Sequence, residues 1–299
     1  VTSDNTYINY DKSWYDTQLF GATVVSHTYN DGKGVMKFDG DVLFLKNKTF
    51  TSNSSLKNIT LPNSITEIGS YAFTFCYALE TVEFNDKLVD IKGSAFNGCS
   101  SLDNVVLPEG LTTISNDAFE SCSSLKSITL PSTLEVIGWR AFYQCTSLEH
   151  IVIPNKVKEI MSESFGFCSS LKEMIVPDTT KVGKDFLNGC MSLEKLSIPY
   201  LELLIETSYG QEYEHTYLGY YFGAENYAHH DSKIPATLKS IRIAGGKIYA
   251  RSLDDVSYET IIFGKNLEYF VIGVQPSVCF IFEGTENDWI NISKDFANY

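Results

Sequence analysis

The 299-residue chain has no long apolar run and comparatively few basic side chains. No stretch approaches the roughly 18 to 20 apolar residues that a membrane-spanning helix needs, so we expect no direct insertion of this segment into a bilayer. The 23 Lys and Arg residues stand against 37 Asp and Glu, which gives a formal net charge of −14. Because such a surface repels phosphate backbones and anionic lipid, the composition argues against nucleic-acid and membrane-surface partners.

The motifs of common catalytic sites are also missing. The sequence has no G-x-S-x-G, no H-E-x-x-H and no phosphate-binding glycine loop. His229, His230 and Asp231 could form a metal cluster, but adjacent histidines point apart and no third ligand has suitable spacing. Carboxylates are plentiful, yet nothing in the sequence selects a pair for glycoside hydrolysis. We therefore expect no enzyme, no metal and no cofactor, and a hydrolase with an unrecognised carboxylate pair stays open as an alternative.

What the chain does contain is a repeat of 23 residues. The segment L-x-x-I-x-L-P, or a close variant, begins at Leu56, Leu79, Leu102, Leu125, Leu148 and Leu171, and at Leu193 one residue early. Other residues keep the same spacing: Cys76, Cys99, Cys122, Cys145, Cys168 and Cys190, and Phe73, Phe96, Phe119, Phe142 and Phe165, with Leu187 in register after them. A degenerate first copy has Met36, Phe38, Leu45 and Phe50 in phase, and Asn53 in the cysteine position.

Each copy has the pattern of one turn of a coil. Ile59 and Leu61 alternate with polar residues and form a short strand, which Pro62 ends because proline lacks an N–H. A second apolar pair, Ile65 and Ile68, makes the next side, and the segment around Phe73 returns on a turn too short for a long helix. One copy cannot bury its apolar positions alone, so the copies must stack. Stacking places the strands in a parallel sheet, with Ile59, Val82, Val105, Ile128, Ile151, Met174 and Leu196 as one buried column.

The cysteine column is open to three interpretations. A small buried thiol that donates weakly to a turn carbonyl fits best, because Asn53 in the same position can also hydrogen-bond turn backbone. A disulfide is permitted by the Cα spacing, but parallel Cβ vectors keep the Cβ atoms farther apart than the roughly 3.8 Å of a bridge. Zinc needs four ligands that converge on a tetrahedron, which a straight column does not offer. Cys279 lies out of register, and we expect it to be another core thiol.

The repeat closely resembles the leucine-rich repeats of BspA-like surface proteins of anaerobic, gut-associated bacteria. The pattern LPxxLxxIGxxAFxxCxSL is almost intact at Leu61–Leu79 and Leu130–Leu148. LGYYFGA (218–224) with IPATLKSIRI (234–243) resembles an insertion between repeats, FEGTENDWINI (282–292) a closing segment, and residues 21–40 a lead-in. The resemblance implies a secreted or surface-anchored protein whose signal segment is absent here, often one that adheres to host or bacterial partners, without catalytic residues.

The predicted fold is an α/β, β-rich leucine-rich repeat solenoid. It is a right-handed superhelix with one parallel sheet, short 3₁₀ or irregular returns and terminal caps. Within this single domain we assign 1–30 to an N-terminal lead-in and cap, 31–199 to the repeats, 200–237 to a Tyr-rich insertion, and 238–299 to irregular C-terminal repeats and a cap. The last unit is expected to hold strands at 238–243, 260–263 and 278–282, with Trp289 in the plug.

Two surfaces are candidates for recognition. On the outward face of the sheet, His150, Val152, Glu173 and Ile175 lie on consecutive rungs, and exposed apolar rungs mark possible contacts, although single β-branched residues are ordinary on strands. In the insertion, Tyr213, Tyr217 and Tyr221 could act as aromatic anchors. The alternative is that these rings pack on the solenoid flank and seal an interrupted repeat.

The leading functional prediction is a non-catalytic, surface-exposed module for protein binding or adhesion. It would be a monomer that binds a macromolecular partner, such as a host matrix protein or a bacterial surface protein. A glycan-binding or enzyme-associated module that uses the Tyr-rich insertion is the alternative, because aromatic rings stack on sugar rings. A purely structural spacer is a further possibility.

Overall fold

The computed structural model describes residues 20, 22–30, 33–201, 203–208, 211–216, 218–224, 233–248, 253, 258–270 and 278–288. They form a β-solenoid of about nine turns with parallel sheets and almost no helix. The predicted leucine-rich repeat solenoid is therefore confirmed. The lead-in at 1–19 and the plug containing Trp289 lie outside the described residues.

The first side of each coil carries the predicted strand. These strands are β4 (Asn58–Thr60), β6 (Thr81–Glu83), β8 (Asn104–Val106), β10 (Ser127–Thr129), β13 (Glu173–Ile175) and β15 (Lys195–Ile198). They continue into the C-terminal strands β18 (Ser240–Ile248), β19 (Thr260–Phe270) and β20 (Cys279–Phe282), all parallel. The C-terminal strands thus lie where the sequence predicted them, and two are longer than expected.

A second column of strands lies on the next side of the coil, at the position of the second apolar pair. Its members are two residues long: β3 (Phe44–Leu45), β5 (Glu67–Ile68), β7 (Asp90–Ile91), β9 (Thr113–Ile114), β11 (Val136–Ile137), β12 (Glu159–Ile160) and β14 (Lys181–Val182). They pair in parallel, coil to coil. The solenoid therefore has two walls of parallel strands, whereas the sequence predicted one parallel sheet; the second apolar pair of each copy also forms a short strand.

The inward column of the first side is buried almost as predicted. Val82, Val105, Ile128, Ile151, Met174 and Leu196 are all buried. Ile59 is half-buried, because it faces a cavity of about 460 Å³ beside Phe20, Met36 and Phe38. The column ends there because the chain before it adopts a different structure.

That earlier structure is an antiparallel hairpin of β1 (Val24–Asn30) and β2 (Lys33–Phe38). Met36 and Phe38 pair with β1 instead of adding a parallel rung to β4, so their assignment to a first repeat is wrong for the strand side. The in-phase assignment holds further along the chain. Leu45 lies on β3, and the Phe50 ring stacks on Phe73 at 5.2 Å between centroids.

The returns are irregular turns held by an alternating pattern of backbone hydrogen bonds. In the second coil, Phe73 and Phe75 donate to carbonyls of the next coil, whereas Thr74 and Cys76 donate three residues back within their own coil. Two residues per return adopt positive φ, as Tyr71 (61°) and Phe75 (59°) do here. Such conformations are costly outside glycine. They recur because they turn the chain while keeping its N–H groups paired with the neighbouring coil.

The phenylalanines form a continuous stack through the core. Neighbouring rings from Phe73 to Phe165 are nearly parallel, with centroids 5.0 to 5.7 Å apart. All of them are fully buried. In the shortened coil, Leu187 takes the phenylalanine position, as predicted, and Phe186 takes the preceding alanine position.

The cysteine column consists of free, buried thiols from Cys76 to Cys190. Each Sγ donates to a carbonyl of the previous coil, as Cys122 does to Phe96 at 3.2 Å. Asn53 substitutes for a cysteine by accepting hydrogen bonds from the backbone N–H groups of Ser55 and Leu56. Burial raises the pKa of Cys76 and of Cys190 to about 12. The prediction for Cys279 is wrong: this thiol is exposed, because it lies on the last described strand of the sheet.

Thiol labelling should separate these two classes. In the native protein at neutral pH, we expect a maleimide reagent to modify Cys279 quickly and the six column cysteines hardly at all, because burial keeps them protonated and out of reach. In denaturant without reductant, mass spectrometry should count all seven. Fewer than seven after denaturation would show disulfides and contradict the column of free thiols.

Candidate interaction surface

The outward face of the first side presents two columns of side chains. The column that starts each strand is polar, and its members bond to each other: Thr81 to Asn58 at 2.5 Å and Ser127 to Asn104 at 2.6 Å. These bonds repeat because equivalent residues lie in exact coil register. These two pairs are thus ordered before a partner binds.

The second outward column contains apolar residues. Val106, Val152 and Ile175 have 68%, 82% and 56% of their surface exposed. Val152 and Ile175, the two apolar residues predicted from the sequence for this face, both lie on it. Val106 lies in the same column two coils before Val152, and Thr129 occupies the coil between them.

The hydrogen-bonded ladder is incomplete beside Val152. His150 bridges to Ser127 on one side and to Glu173 on the other, but residues 151–153 form no bridge in either direction. The most exposed of the apolar rungs thus lies on backbone that the ladder does not hold. His150 and Glu173 flank it as the neighbouring polar rungs, so the four predicted sheet residues share one patch.

An arginine interrupts the outward column on the C-terminal side of Ile175. Arg242 lies in the same outward column and pairs with Asp178 at 2.7 Å and with Glu283 at 2.8 Å. The hydrogen bonds that its guanidinium donates to these carboxylates raise the pKa of Arg242 above the usual range. The guanidinium ties a loop after β13 to Glu283, the residue that follows the last described strand, and it separates Ile175 from the exposed Ile281 further along the same column.

The Tyr-rich insertion does not complete the surface in the way the sequence suggested. It begins with an antiparallel hairpin, β16 (Leu203–Ser208) and β17 (Gln211–Thr216), and continues in a 3₁₀ helix, Leu218–Phe222. Tyr217 lies outside the described residues, and only the backbone of Tyr213, on β17, is described. The cluster His229, His230 and Asp231 also lies outside them.

Tyr221 is fully buried, so its prediction as a surface anchor is wrong. Its hydroxyl donates to the Tyr200 carbonyl at 2.9 Å, and its ring meets Phe186 edge-on at 5.3 Å. Asp185 and Leu187 donate backbone N–H groups to the carbonyls of Tyr220 and Tyr221. The 3₁₀ helix therefore takes the place of the return of a missing coil. Tyr221 thus follows the alternative interpretation, in which the rings of the insertion pack on the solenoid and seal an interrupted repeat.

The returns also carry a group of exposed aromatic residues that was not predicted from the sequence. Phe75, Tyr77 and Phe167 occupy columns in which most copies have glycine, serine, glutamine or threonine. Such a departure from the column is a signal that an alignment of the copies could have revealed. Within the described residues, no group of three or more His, Cys, Asp or Glu side chains could hold a metal ion, and no helix is long and apolar enough to cross a bilayer.

Solved structures with this fold come from several bacteria. A leucine-rich repeat protein of T. pallidum is 35% identical, with a TM-score of 0.51, over 52% of this chain and 73% of that one. A leucine-rich repeat protein of Bacteroides ovatus is 19% identical, with a TM-score of 0.37, over 86% and 81%. A leucine-rich cell surface protein of Faecalibacterium prausnitzii is 19% identical, with a TM-score of 0.31, over 90% and 89%. Comparison with curated proteins gives no match.

The family profile described as BspA type leucine-rich repeat region matches six copies, over residues 36–145 and 91–209. Those ranges cover more than half of the chain and coincide with the coils of the solenoid. Those ranges contain the stacked phenylalanines, the buried cysteines and the two apolar pairs. The chain therefore belongs to the BspA-type leucine-rich repeat family.

Proposed function

We propose that this chain is a non-catalytic adhesion module that binds another protein through the outward face of its first side. The observation that carries the proposal is the exposed pair Val152 and Ile175, at equivalent positions of adjacent coils on this face. Exposed apolar side chains that are grouped on one face of a protein often mark a contact with a partner. Family membership supports an interaction role.

The polar surroundings of the pair suit a protein interface. Glu149 and Lys172, the residues directly before His150 and Glu173, form an exposed ion pair at 2.7 Å. His150 and Glu173 therefore lie between this ion pair and the apolar pair. An apolar centre with a polar rim is the usual anatomy of a protein–protein contact. We infer a secreted or surface-anchored location from the same family, and partners among host matrix proteins or the surface proteins of neighbouring bacteria.

The double variant Val152→Asp with Ile175→Asp tests this surface. Two buried carboxylates in an interface would weaken binding at least tenfold, since truncation of a hot spot alone costs about 2 kcal/mol. The measurement is a pull-down from matrix extract and from bacterial surface proteins, followed by titration of the captured partner. Val89→Asp is the matched control, because Val89 is an exposed valine away from this face.

Circular dichroism should show that both variants fold. Full-strength capture by the double variant would exclude the sheet face as the binding surface. Equal losses in the double variant and in Val89→Asp would indicate a general effect of added negative charge, and would also count against the proposal.

A further inference from the structure

An uncharged trough crosses the returns of five consecutive coils, just before each strand begins. It has a volume of about 480 Å³, and it is bounded by Phe75 and Tyr77 at one end and by Phe167 at the other. Four coil steps separate Phe75 from Phe167, which corresponds to roughly 19 Å at the usual strand spacing. The trough is separate from the outward sheet face described above.

Aromatic rings stand exposed at both ends of the trough. Phe75 and Tyr77 are 43% and 53% exposed, and their rings lie nearly parallel, with centroids 5.8 Å apart and planes 23° apart. Phe167 is 40% exposed and meets Tyr143 edge-on at 5.3 Å. Isolated exposed apolar residues are common on protein surfaces, but these rings are grouped at the two ends of one depression.

Between the aromatic ends, the floor of the trough is formed by glycine and by polar residues. Gly98 has φ +73°, and a Cβ there would lie 2.6 Å from Cδ1 of Phe75, so glycine lets this ring rest on the coil. Gln144 accepts a hydrogen bond from the Ser121 hydroxyl at 3.0 Å, and its Nε2 donates to no acceptor in the described part of the chain. Thr146 donates to the Ser123 carbonyl at 3.2 Å, which leaves the Thr146 hydroxyl oxygen able to accept.

The backbone N–H groups at three left-handed positions along the trough are already paired. Gly98, Ser121 and Gln144 each give their N–H to the next coil, at 2.7 Å in all three cases. An extended peptide that adds to a sheet needs unpaired backbone groups along its path, and these are already paired. At these positions a ligand can meet only side chains, chiefly the aromatic faces and the hydroxyl and amide groups.

We propose that this trough binds a neutral, extended oligosaccharide. Exposed aromatic rings offer apolar faces to the C–H faces of sugar rings, and hydroxyl and amide side chains match sugar hydroxyls in both donor and acceptor character. All eleven lining residues are uncharged in a chain of net charge −14, which favours a neutral ligand over a cationic one. The polar groups repeat once per coil, roughly 4.8 Å, a spacing similar to the advance of one sugar unit along an extended chain.

The aromatic ends can be removed without disturbing the coils if each aromatic residue is replaced by the residue at the equivalent position of another copy. In two other copies the equivalent left-handed position is a glycine, Gly98 or Gly189. Phe75→Gly and Phe167→Gly therefore introduce a residue that the coil accepts at this position. Tyr77→Ser is likewise the residue of the next copies, at 100 and 123. Tyr71→Ser is the matched control, because Tyr71 is an exposed aromatic at positive φ outside the trough lining, and the next copy has Ser94 there.

The test is an array of neutral plant, fungal and bacterial oligosaccharides, from disaccharides to hexasaccharides, beside acidic ones, followed by calorimetric titration of the best neutral binder. We expect wild-type binding to a neutral oligosaccharide. It should weaken about tenfold or more in Phe75→Gly with Tyr77→Ser and in Phe167→Gly, and stay unchanged in Tyr71→Ser. No binding to any neutral glycan, a preference for acidic ones, or equal binding by the trough variants would overturn the proposal.

The sheet-face variant separates this site from the proposed function. Val152→Asp with Ile175→Asp should keep full oligosaccharide binding, because neither residue lines the trough. A loss of oligosaccharide binding in that variant would place the sugar elsewhere and refute the trough. Loss of protein capture with retained sugar binding would support both sites independently.

Discussion

Replacing Phe119 by alanine is expected to lower the free energy of unfolding by about 3 to 5 kcal/mol, the largest effect of any single substitution considered for this chain. The ring is fully buried and stacked between Phe96 and Phe142, at 5.3 and 5.7 Å. Removing it leaves a cavity in the middle of the stack, and neighbours held by coil register cannot collapse into it.

Urea unfolding followed by circular dichroism would measure this effect. Phe167→Ala is the matched control, since Phe167 is a phenylalanine on the same type of return but at the surface, and we expect it to cost about 1 kcal/mol or less. Stacked repeats unfold with nearest-neighbour coupling, so the loss should also lower hydrogen-exchange protection in the coils on either side. Similar costs for the two substitutions would contradict the central placement of the Phe119 ring.

Raising the pH above about 8.5 is expected to destabilise the fold strongly, because of the six column cysteines. Burial raises the pKa of each, to about 12 for Cys76 and Cys190 and well above the ordinary range for Cys122 and the rest. Between the unfolded and folded pKa values, the unfolded chain has lost these protons and the folded chain has kept them. Stability therefore falls with pH, by up to about 1.4 kcal/mol per pH unit for each thiol.

Urea titrations at a series of pH values from neutral to about 10 would give this slope. Cys122→Ala should reduce it by one thiol's share, because one buried group no longer ionises on unfolding. Phe119→Ala is the control here, since it lowers stability without removing a thiol and should keep the wild-type slope. A Cys122→Ala slope equal to wild type would mean that the column does not control the alkaline limit.

The repeat made most of the core predictable from the sequence. Once Phe73 and Cys76 recur every 23 residues, stacking fixes their neighbours, and the buried column from Val82 to Leu196 follows from strand alternation alone. The same logic placed Leu187 correctly in the shortened coil. Periodicity thus predicts both what is buried and which residues touch.

Prediction failed where the period stops. Tyr221 looked like one of many tyrosines in an insertion, and nothing in its local sequence shows that a 3₁₀ helix there takes the place of a missing return. Met36 was in phase but pairs with β1, since in-phase spacing cannot distinguish a parallel rung from an antiparallel hairpin. Cys279 was assigned to the core by its residue type alone.

The trough was missed for a different reason. Phe75 and Phe167 lie at a left-handed position two residues after a buried phenylalanine, and their exposure depends on that backbone turn. Strand and helix periodicities do not describe such a turn, so an apolar residue there is easily assigned to the core. Only the comparison of one copy with another shows that aromatic rings are unusual in these columns.

The coil register also has a consequence for the gene. Since cross-coil hydrogen bonds join nearly the same positions in every copy, duplication or loss of a 69-nucleotide segment, three nucleotides for each of the 23 residues of a copy, would insert or remove one coil while the remaining coils keep equivalent partners. Recombination between copies would thus lengthen or shorten the outward face in steps of roughly 4.8 Å. It would also bring new side chains next to Val152 or between Phe75 and Phe167, so recognition could diversify while the core stays unchanged.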